Sequence, residues 1–346
     1  MHVPFQKKIP DHRVSVAPMM DWTDKHCRTF HRLLTQKALL YTEMVTTGAL
    51  LHGDVARHLD FNAAEQPVAL QLGGSEPADL AACALLGEQW GYREINLNCG
   101  CPSERVQRGA VGACLMAEPV RVADCIKAMQ DRVAIPVTVK HRIGLDKMES
   151  YSFVRDFVGT LADAGCKTFI VHARNAWLGG LSPKENREIP PLRYSTVHRL
   201  KTDFPDLVIC INGGIATTAD VQTQLESVDG VMVGRQAYHN PWWLASWDNA
   251  FFGEETTKAT FREAIEAQMA DYMQQQASQH GTAWSSIARH MLGLYHGQSG
   301  ARLWRQVWSD HRLKHHAPHA VMALAQQARL GGLRRDNPQS AENVLN

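Results

Sequence analysis

Eight short apolar or β-branched runs recur along the first two thirds of the chain, and they limit its fold more than any other feature. They are RVSVAPM (13–19), LLYTEM (39–44), PVALQLG (67–73), EINLNCG (94–100), PVTVKHR (136–142), TFIVHAR (168–174), VICINGG (208–214) and GVMVGR (230–235). Each has strand length and is bounded by turn or polar residues. Helically spaced segments separate most of them. DLAACALLGEQW (79–90) follows Pro77, and RVADCIKAMQDRV (121–133) resembles it. SFVRDFVGTLADAG (152–165) ends at a capping Gly165, and TTADVQTQLES (217–227) begins with a threonine cap. A helix from about Lys25 to Leu34 links the first two runs. Strands alternating with helices eight times predict an α/β fold, a (β/α)8 barrel rather than an open sheet. After Arg235 the strands stop, and helical spacing continues alone. The expected organisation is a barrel domain over residues 10–240, a smaller all-helical domain over 243–335, and a polar tail over 336–346.

Composition excludes several classes. With 346 residues, 45% hydrophobic and 21% charged, the chain is an ordinary globular one. No apolar run approaches the roughly 20 residues that span a bilayer, and the first residues lack a signal-peptide core. A cytoplasmic protein, monomeric and without a membrane, is the expectation. Eight cysteines scattered through a chain of this size read as reduced thiols. Zinc needs about four ligands; Cys99 and Cys101 have no second close pair, so no metal is expected. Charge is uneven: Ser285–Arg335 carries eight basic residues and one acid, Asp310. That makes the segment +7 and the remainder −6, in a chain of net +1. A basic end on a nearly neutral protein points to a polyanionic partner.

In such a barrel the active site lies at the C-terminal ends of the strands. That rule selects Pro18, Met19, Glu43, Gln71, Asn98, Cys101, Lys140, His172, Asn212–Gly214 and Gly234–Arg235. Glycines after the last two strands allow backbone N–H groups to approach a phosphate, with Arg235 as a further contact. Lys140 has two readings, a Schiff-base amine or a cation held against an anionic cofactor. His172 is placed to donate to the same group. Gln71 can both donate and accept.

These residues resemble the dihydrouridine synthase family of flavin-dependent, tRNA-modifying enzymes. APMMDWTD, QLGGSEP, NLNCGCPS, VKHRIG, VHARNAWLGG, INGGI and MVGRQAY occur in the family's order, across nearly the whole chain. HGD, LSPKENREIPPLRY and GLYHGQSGAR are most similar to the A subfamily, which acts on positions 20 and 20a. The resemblance implies that NADPH reduces a bound FMN, which then reduces a D-loop uridine of tRNA. It implies flavin contacts from Ala17, Pro18, Met19, Gln71, Lys140 and His172. Asn212, Gly213, Gly214, Gly234 and Arg235 would hold the flavin phosphate, and Cys101 would be the catalytic acid. Asn98, Lys184, Arg187, Arg302 and Arg305 would meet the tRNA. Arg302 and Arg305 lie one helical turn apart and share a face.

The chemistry of the step agrees with a cysteine. Hydride delivery to C6 of uracil leaves C5 needing a proton. A thiol, ordinarily with a pKa of about 8.5, can hold and release one at neutral pH; a serine hydroxyl is far too weak. Strand alternation puts Ile95, Leu97 and Cys99 on one face and Asn96 and Asn98 on the other. Cys99 is then a packing residue, while Cys101 rides on the loop beyond Gly100. Three other readings compete: an FMN barrel acting on a free pyrimidine or small enone, a Lys140 aldolase, and a non-catalytic RNA-binding barrel. A basic helical end opposes the first, and flavin absorbance would reject the other two.

Overall fold

A computed structural model of the chain describes residues 12–103, 111–253 and 261–336, the last five by backbone alone. Residues 337–346 of the expected tail, and residues 104–110 that follow the NCGCPS segment, lie outside the described residues.

The eight runs form β1 (Val14–Val16), β2 (Leu39–Thr46), β3 (Val68–Gly73), β4 (Glu94–Cys99), β5 (Val137–Arg142), β6 (Thr168–His172), β7 (Val208–Asn212) and β8 (Gly230–Val233). They pair in parallel and in sequence order, and β8 returns to β1 to close the barrel. The strands are shorter than their apolar runs at several ends. Ala17–Met19, Gly213–Gly214 and Gly234–Arg235 lie beyond the strand ends. Strand β2 is longer than its run and carries an irregularity between Tyr41 and Met44 that brackets Glu43.

Helices cover the strands where the spacing placed them, among them Pro77–Trp90, Pro119–Gln130, Tyr151–Asp163 and Thr218–Leu225, and a further helix that the spacing did not place runs over Tyr194–Asp203. Proline opens the first two, where its missing N–H costs nothing. A reciprocal Thr217–Asp220 capping box starts the last. The core between sheet and helices is fully buried aliphatic and aromatic packing, for example Leu70, Ile95, Val139, Phe157 and Val171.

By packing the chain divides into two compact units. Among the described residues, one comprises the chain up to Arg28 with Lys37–Gly234, and the other Thr29–Gln36 with the part from Arg235 on. The second half of the Lys25–Leu34 helix thus belongs with the second unit, which its sequence position does not suggest. Within that unit Asp248 accepts from Thr35 Oγ1 and from the N–H of Gln36, both at 2.6 Å. The second unit is helical, with Arg262–His280, Ala301–Trp308 and Pro318–Asp336 as its longer described helices. Among the described residues no helix is long and apolar enough to cross a membrane.

Candidate active site

Interior-facing residues of β3, β4 and β5 form one continuous chain of hydrogen bonds inside the barrel. The N–H groups of Gly100 and Cys101 donate to Asn98 Oδ1 at 3.1 and 3.0 Å. Asn98 Nδ2 donates to Gln71 Oε1, Gln71 Nε2 to Asn96 Oδ1, and Asn96 Nδ2 to Thr138 Oγ1, each at 2.8 Å. The Thr138 hydroxyl donates to Glu94 Oε1 at 2.6 Å, and Tyr41 donates to the same oxygen at 2.8 Å. Sheet register makes this possible, because Gln71 pairs with Asn96 and Asn96 with Thr138.

Both ends of that chain fix its direction. Backbone N–H groups only donate, and an ionised carboxylate only accepts. Every amide between them is therefore held in one orientation. At the far end, His12 Nε2 stands 3.0 Å from Glu94 Oε2. Burial opposes charge on this imidazole, but the Glu94 carboxylate and the Cys210 sulfur together outweigh it and raise His12 well above its ordinary range.

Cys101 is thus the supported tip of a polar column. All eight cysteines are free; Cys101 and Cys114 are partly exposed and the other six are buried. Cys99 is fully buried, with Cys114, Cys125 and Cys166 as neighbours, and burial drives its thiol well up. It faces the helix layer, and the Cys99–Cys101 pair separates as strand parity requires. The Cys101 thiol lies 3.6 Å from Ser103 Oγ.

Beside it the ends of β5, β6 and β7 bring cations together. Asn98 is in register with Lys140, Arg142 with His172, and His172 with Asn212. Lys140 Nζ donates to Asn212 Oδ1 at 3.2 Å. Burial, then the neighbouring Arg142 charge, pull its ammonium down to about 7, against the opposing pull of Cys101. Burial also takes His172 well below the ordinary imidazole range, and Arg142, Lys140, Arg174 and Arg187 push it further. The mouth thus disfavours positive charge on its own lysine and histidine.

Arg142 is a residue that the motif VKHRIG contains but that sequence reasoning passed over. It is buried, and it donates to the carbonyls of Gly100 at 3.2 Å, Asn175 at 3.0 Å and Asn186 at 2.9 Å. It ties the Cys101 loop to the long loop after β6. The signal available was a strand-end arginine two residues after Lys140, on the same face.

The glycine turn after β7 is packed so closely against its neighbours that only glycine fits it. Gly213 and Gly214 take φ of 118° and 72°, a region that disfavours side chains. A Cβ on Gly213 would stand 2.7 Å from His172 Cδ2. Tyr194 OH donates to the Gly213 carbonyl at 2.7 Å, and Asn212 Nδ2 to that of Met232 at 2.8 Å. Gly234 lies at the end of β8 beside Ala17 and Met19, and the Ala17 N–H donates to the Val233 carbonyl at 2.8 Å. Pro18 follows on the same half-buried loop. Arg235 opens the Arg235–His239 helix.

The residues expected to meet RNA fall into separate groups. Lys184 and Arg187 are exposed in the loop after β6, and Arg187 is within electrostatic reach of His172 and Arg142. Arg302 and Arg305 are exposed on the Ala301–Trp308 helix of the second unit, opposite its buried Trp304 and Trp308.

The family profile described as "Dihydrouridine synthase (Dus)" matches residues 15–329. The chain belongs to the dihydrouridine synthase family. A relative in Pseudomonas putida named tRNA-dihydrouridine(20/20a) synthase is 57% identical over 316 residues, 91% of this chain and 94% of that one. Relatives of the same name in Yersinia pestis and Pasteurella multocida are 55% and 57% identical, covering 92% and 87% of this chain and 91% of each relative. Among solved structures, a 2-naphthoyl-CoA reductase complex superposes with a TM-score of 0.51 at 11% identity. It covers 69% of this chain and 51% of that one, and so it supports the barrel fold alone. In the dihydrouridine synthase family this chain therefore sits among relatives matched along nearly their full length.

Proposed function

We propose that this chain is a tRNA-dihydrouridine(20/20a) synthase that uses FMN and NADPH, acting in the cytoplasm as a monomer. One observation carries the reading: Cys101 is held by the Asn98 carbonyl at the edge of a mouth lined with Lys140, His172 and Asn212. The residues fit an anionic flavin. Lys140 at about 7 gains its proton when an anion offsets burial and Arg142, and the Gly213–Gly214 turn, whose backbone and packing admit only glycine, would meet a phosphate through its N–H groups. Gln71, Lys140, His172 and the Ala17–Pro18–Met19 loop would hold the ring and ribityl edge. Asn212, Gly213, Gly214, Gly234 and Arg235 would hold the phosphate.

FMN held there and recharged by NADPH would supply a hydride for C6 of uracil. Cys101 Sγ–H gives its proton to C5 on the same base, completing the reduction. Asn98 already uses both lone pairs of Oδ1 on the loop and one amide hydrogen on Gln71. Its second amide hydrogen remains for a uracil carbonyl. Lys184 and Arg187 steer the D-loop backbone, and Arg302 and Arg305 in the helical domain grip the tRNA elsewhere.

The test is Cys101→Ala. The variant should keep flavin absorbance and NADPH-driven flavin reduction while losing uridine reduction by about 10²–10⁴-fold. Full turnover by the variant would exclude this role. Mapping dihydrouridine in tRNA from cells lacking the protein checks the positions, and loss at sites other than 20 and 20a would exclude the subfamily assignment.

A further inference from the structure

Cys101 belongs to no strand or helix, yet its backbone is held on both sides. The peptide unit that joins Gly100 to Cys101 is planar, so its C=O and N–H turn together. Asn98 Oδ1 accepts from the Cys101 N–H at 3.0 Å. On the opposite edge of the same unit, Arg142 Nε donates to the Gly100 carbonyl at 3.2 Å. Rotating that plane breaks both hydrogen bonds at once. On the far side of the residue, the Cys101 carbonyl accepts from the Ala113 N–H at 2.9 Å. Pro102 comes next, and its ring confines Cys101 to extended backbone conformations. With both backbone dihedrals restrained, χ1 is the freedom left to aim Sγ.

Arg142 is itself anchored from behind. Its Nη1 donates to the carbonyls of Asn175 and Asn186 at 3.0 and 2.9 Å. Both asparagines are buried, and each is tied in turn. Asn175 Nδ2 donates to the Asp146 carbonyl at 2.9 Å. Asn186 Nδ2 donates to the Trp177 carbonyl at 2.9 Å, and its Oδ1 accepts from the Trp177 N–H at 2.8 Å. A planar guanidinium with one arm on two fixed carbonyls cannot swing, so the place of Nε beside Gly100 is fixed as well. Among the described residues no carboxylate pairs with Arg142; its acceptors are neutral carbonyls. Burial takes the guanidinium down to about 10 against the pull of Cys101, which leaves it charged at neutral pH. A lysine ammonium would keep that charge, but a compact point donor cannot span the same carbonyls from one rigid plane.

We propose that Arg142 is the positioning residue for proton donation: it clamps the Gly100–Cys101 peptide plane against the frame of the loop after β6 and so aims the Cys101 side chain at the uracil. The inference rests on the reading of Cys101 as the proton donor. Arg142 acts through Cys101 rather than on the base, and this separates it from Lys140 and His172. A misplacement of about 1 Å at a reacting group can cost about 10²-fold in rate, so a clamp two bonds from the Cys101 Cα has a large lever. The same guanidinium joins that clamp to the segment carrying Lys184 and Arg187, because Asn186 lies between them.

A double-mutant cycle on the full, flavin-loaded chain tests it. Arg142→Lys keeps the charge that acts on Lys140 and His172 and removes the fork. The readout is oxidation of the pre-reduced flavin in a single turnover, with a saturating unmodified tRNA transcript. Arg142→Lys should slow that step by about 10²-fold, with flavin binding and NADPH-driven flavin reduction unchanged. In a Cys101→Ala background the same substitution should slow the residual reaction little further, since the group it positions is gone. An equal loss in both backgrounds, or none in either, would overturn the positioning role. A measurement on the parent protein stands apart from the fate of the variant. Relaxation of ¹⁵N labels at Gly100 and Cys101 should give order parameters of about 0.85, as in rigid backbone, and values below about 0.6 would overturn the clamp. Cys101→Ala alone turning over at the parent's rate would instead overturn the proton-donor reading, whatever Arg142→Lys does.

Discussion

Glu94 in the barrel and Glu266 in the helical unit are both 0% exposed, yet their surroundings differ in kind. Glu94 has a partner of opposite charge, His12, and two hydroxyl donors, one of which begins the column that ends at Cys101. Among the described residues Glu266 has only neutral donors: Trp304 and Trp308 on Oε1, and Tyr295 and Gln326 on Oε2. Burial raises its carboxyl, and those four hydrogen bonds pull it back only in part. A buried carboxylate can therefore serve two ends. One transmits a direction to a distant loop. The other joins its own helix to side chains from two further helices and the Tyr295 turn, and so fixes the rotation of the helix that displays Arg302 and Arg305.

Removing each acceptor should separate these roles. Glu266→Ala is expected to be the most damaging change, because it strands four buried donors at about 1–3 kcal/mol each. Circular dichroism and limited proteolysis should show a helical unit that no longer folds stably. Glu266→Gln keeps one oxygen for the two indoles and turns an NH2 toward Tyr295 and Gln326. Its cost should be about half as large. Equal stability of Glu266→Ala and the parent would mean that the hub is decorative.

Thr138→Val is the matching cut in the barrel. It removes the hydroxyl between Asn96 and Glu94 and leaves the Asn96 amide without an acceptor, for about 1–3 kcal/mol of stability. The sharper expectation is functional. Uridine reduction should fall while tRNA affinity holds, since Asn98 and the Cys101 loop lose their anchor. Glu94→Gln can still accept from Tyr41 and Thr138 on one oxygen and should retain more activity than Thr138→Val. The reverse order would show that the His12 ion pair, rather than the directional column, governs the mouth.

The smallest effect concerns pH. His12 is raised in the fold, so its stabilisation is complete below the unfolded value of about 6.5 and is lost as pH rises through the folded value. Glu266 is raised as well, and its contribution is complete below about 4.3 and falls as pH rises through its folded value. The barrel's contribution thus fades on the alkaline side of neutrality and that of the helical unit begins to fade on the acid side. Thermal melts of the parent against His12→Gln from about pH 6 to 9 should show the parent's advantage shrinking. An advantage that grows with pH would reverse the sign assigned to the pair.

The barrel and much of its mouth were legible in the sequence because period-two alternation and strand ends are local properties. Asn96 and Asn98 against Cys99 is the clearest case, and Glu94 belongs to the same inward-facing series. Their joint role was not legible, because Gln71, Asn96 and Thr138 meet only through register across three strands. The Glu266 hub was hidden for a similar reason. Its donors are spread from residue 295 to residue 326, and one of two glutamates in a helix rich in glutamine and alanine carries no burial signal. The assignment of Thr29–Gln36 to the second unit was equally invisible, since helical periodicity does not say which neighbour a helix face will meet.

The chain of bonds from Glu94 to the loop also bears on how fast the mouth can open. Gly100 and Cys101 belong to no strand or helix, and amide hydrogens of such residues normally exchange with solvent within moments. Here both amides terminate a column rooted in the barrel floor, so freeing them means disturbing Asn98 and Gln71 as well. Deuterium uptake at these two positions should be as slow as in the strands beneath them, which would make a two-residue loop tip one of the stillest points of the site.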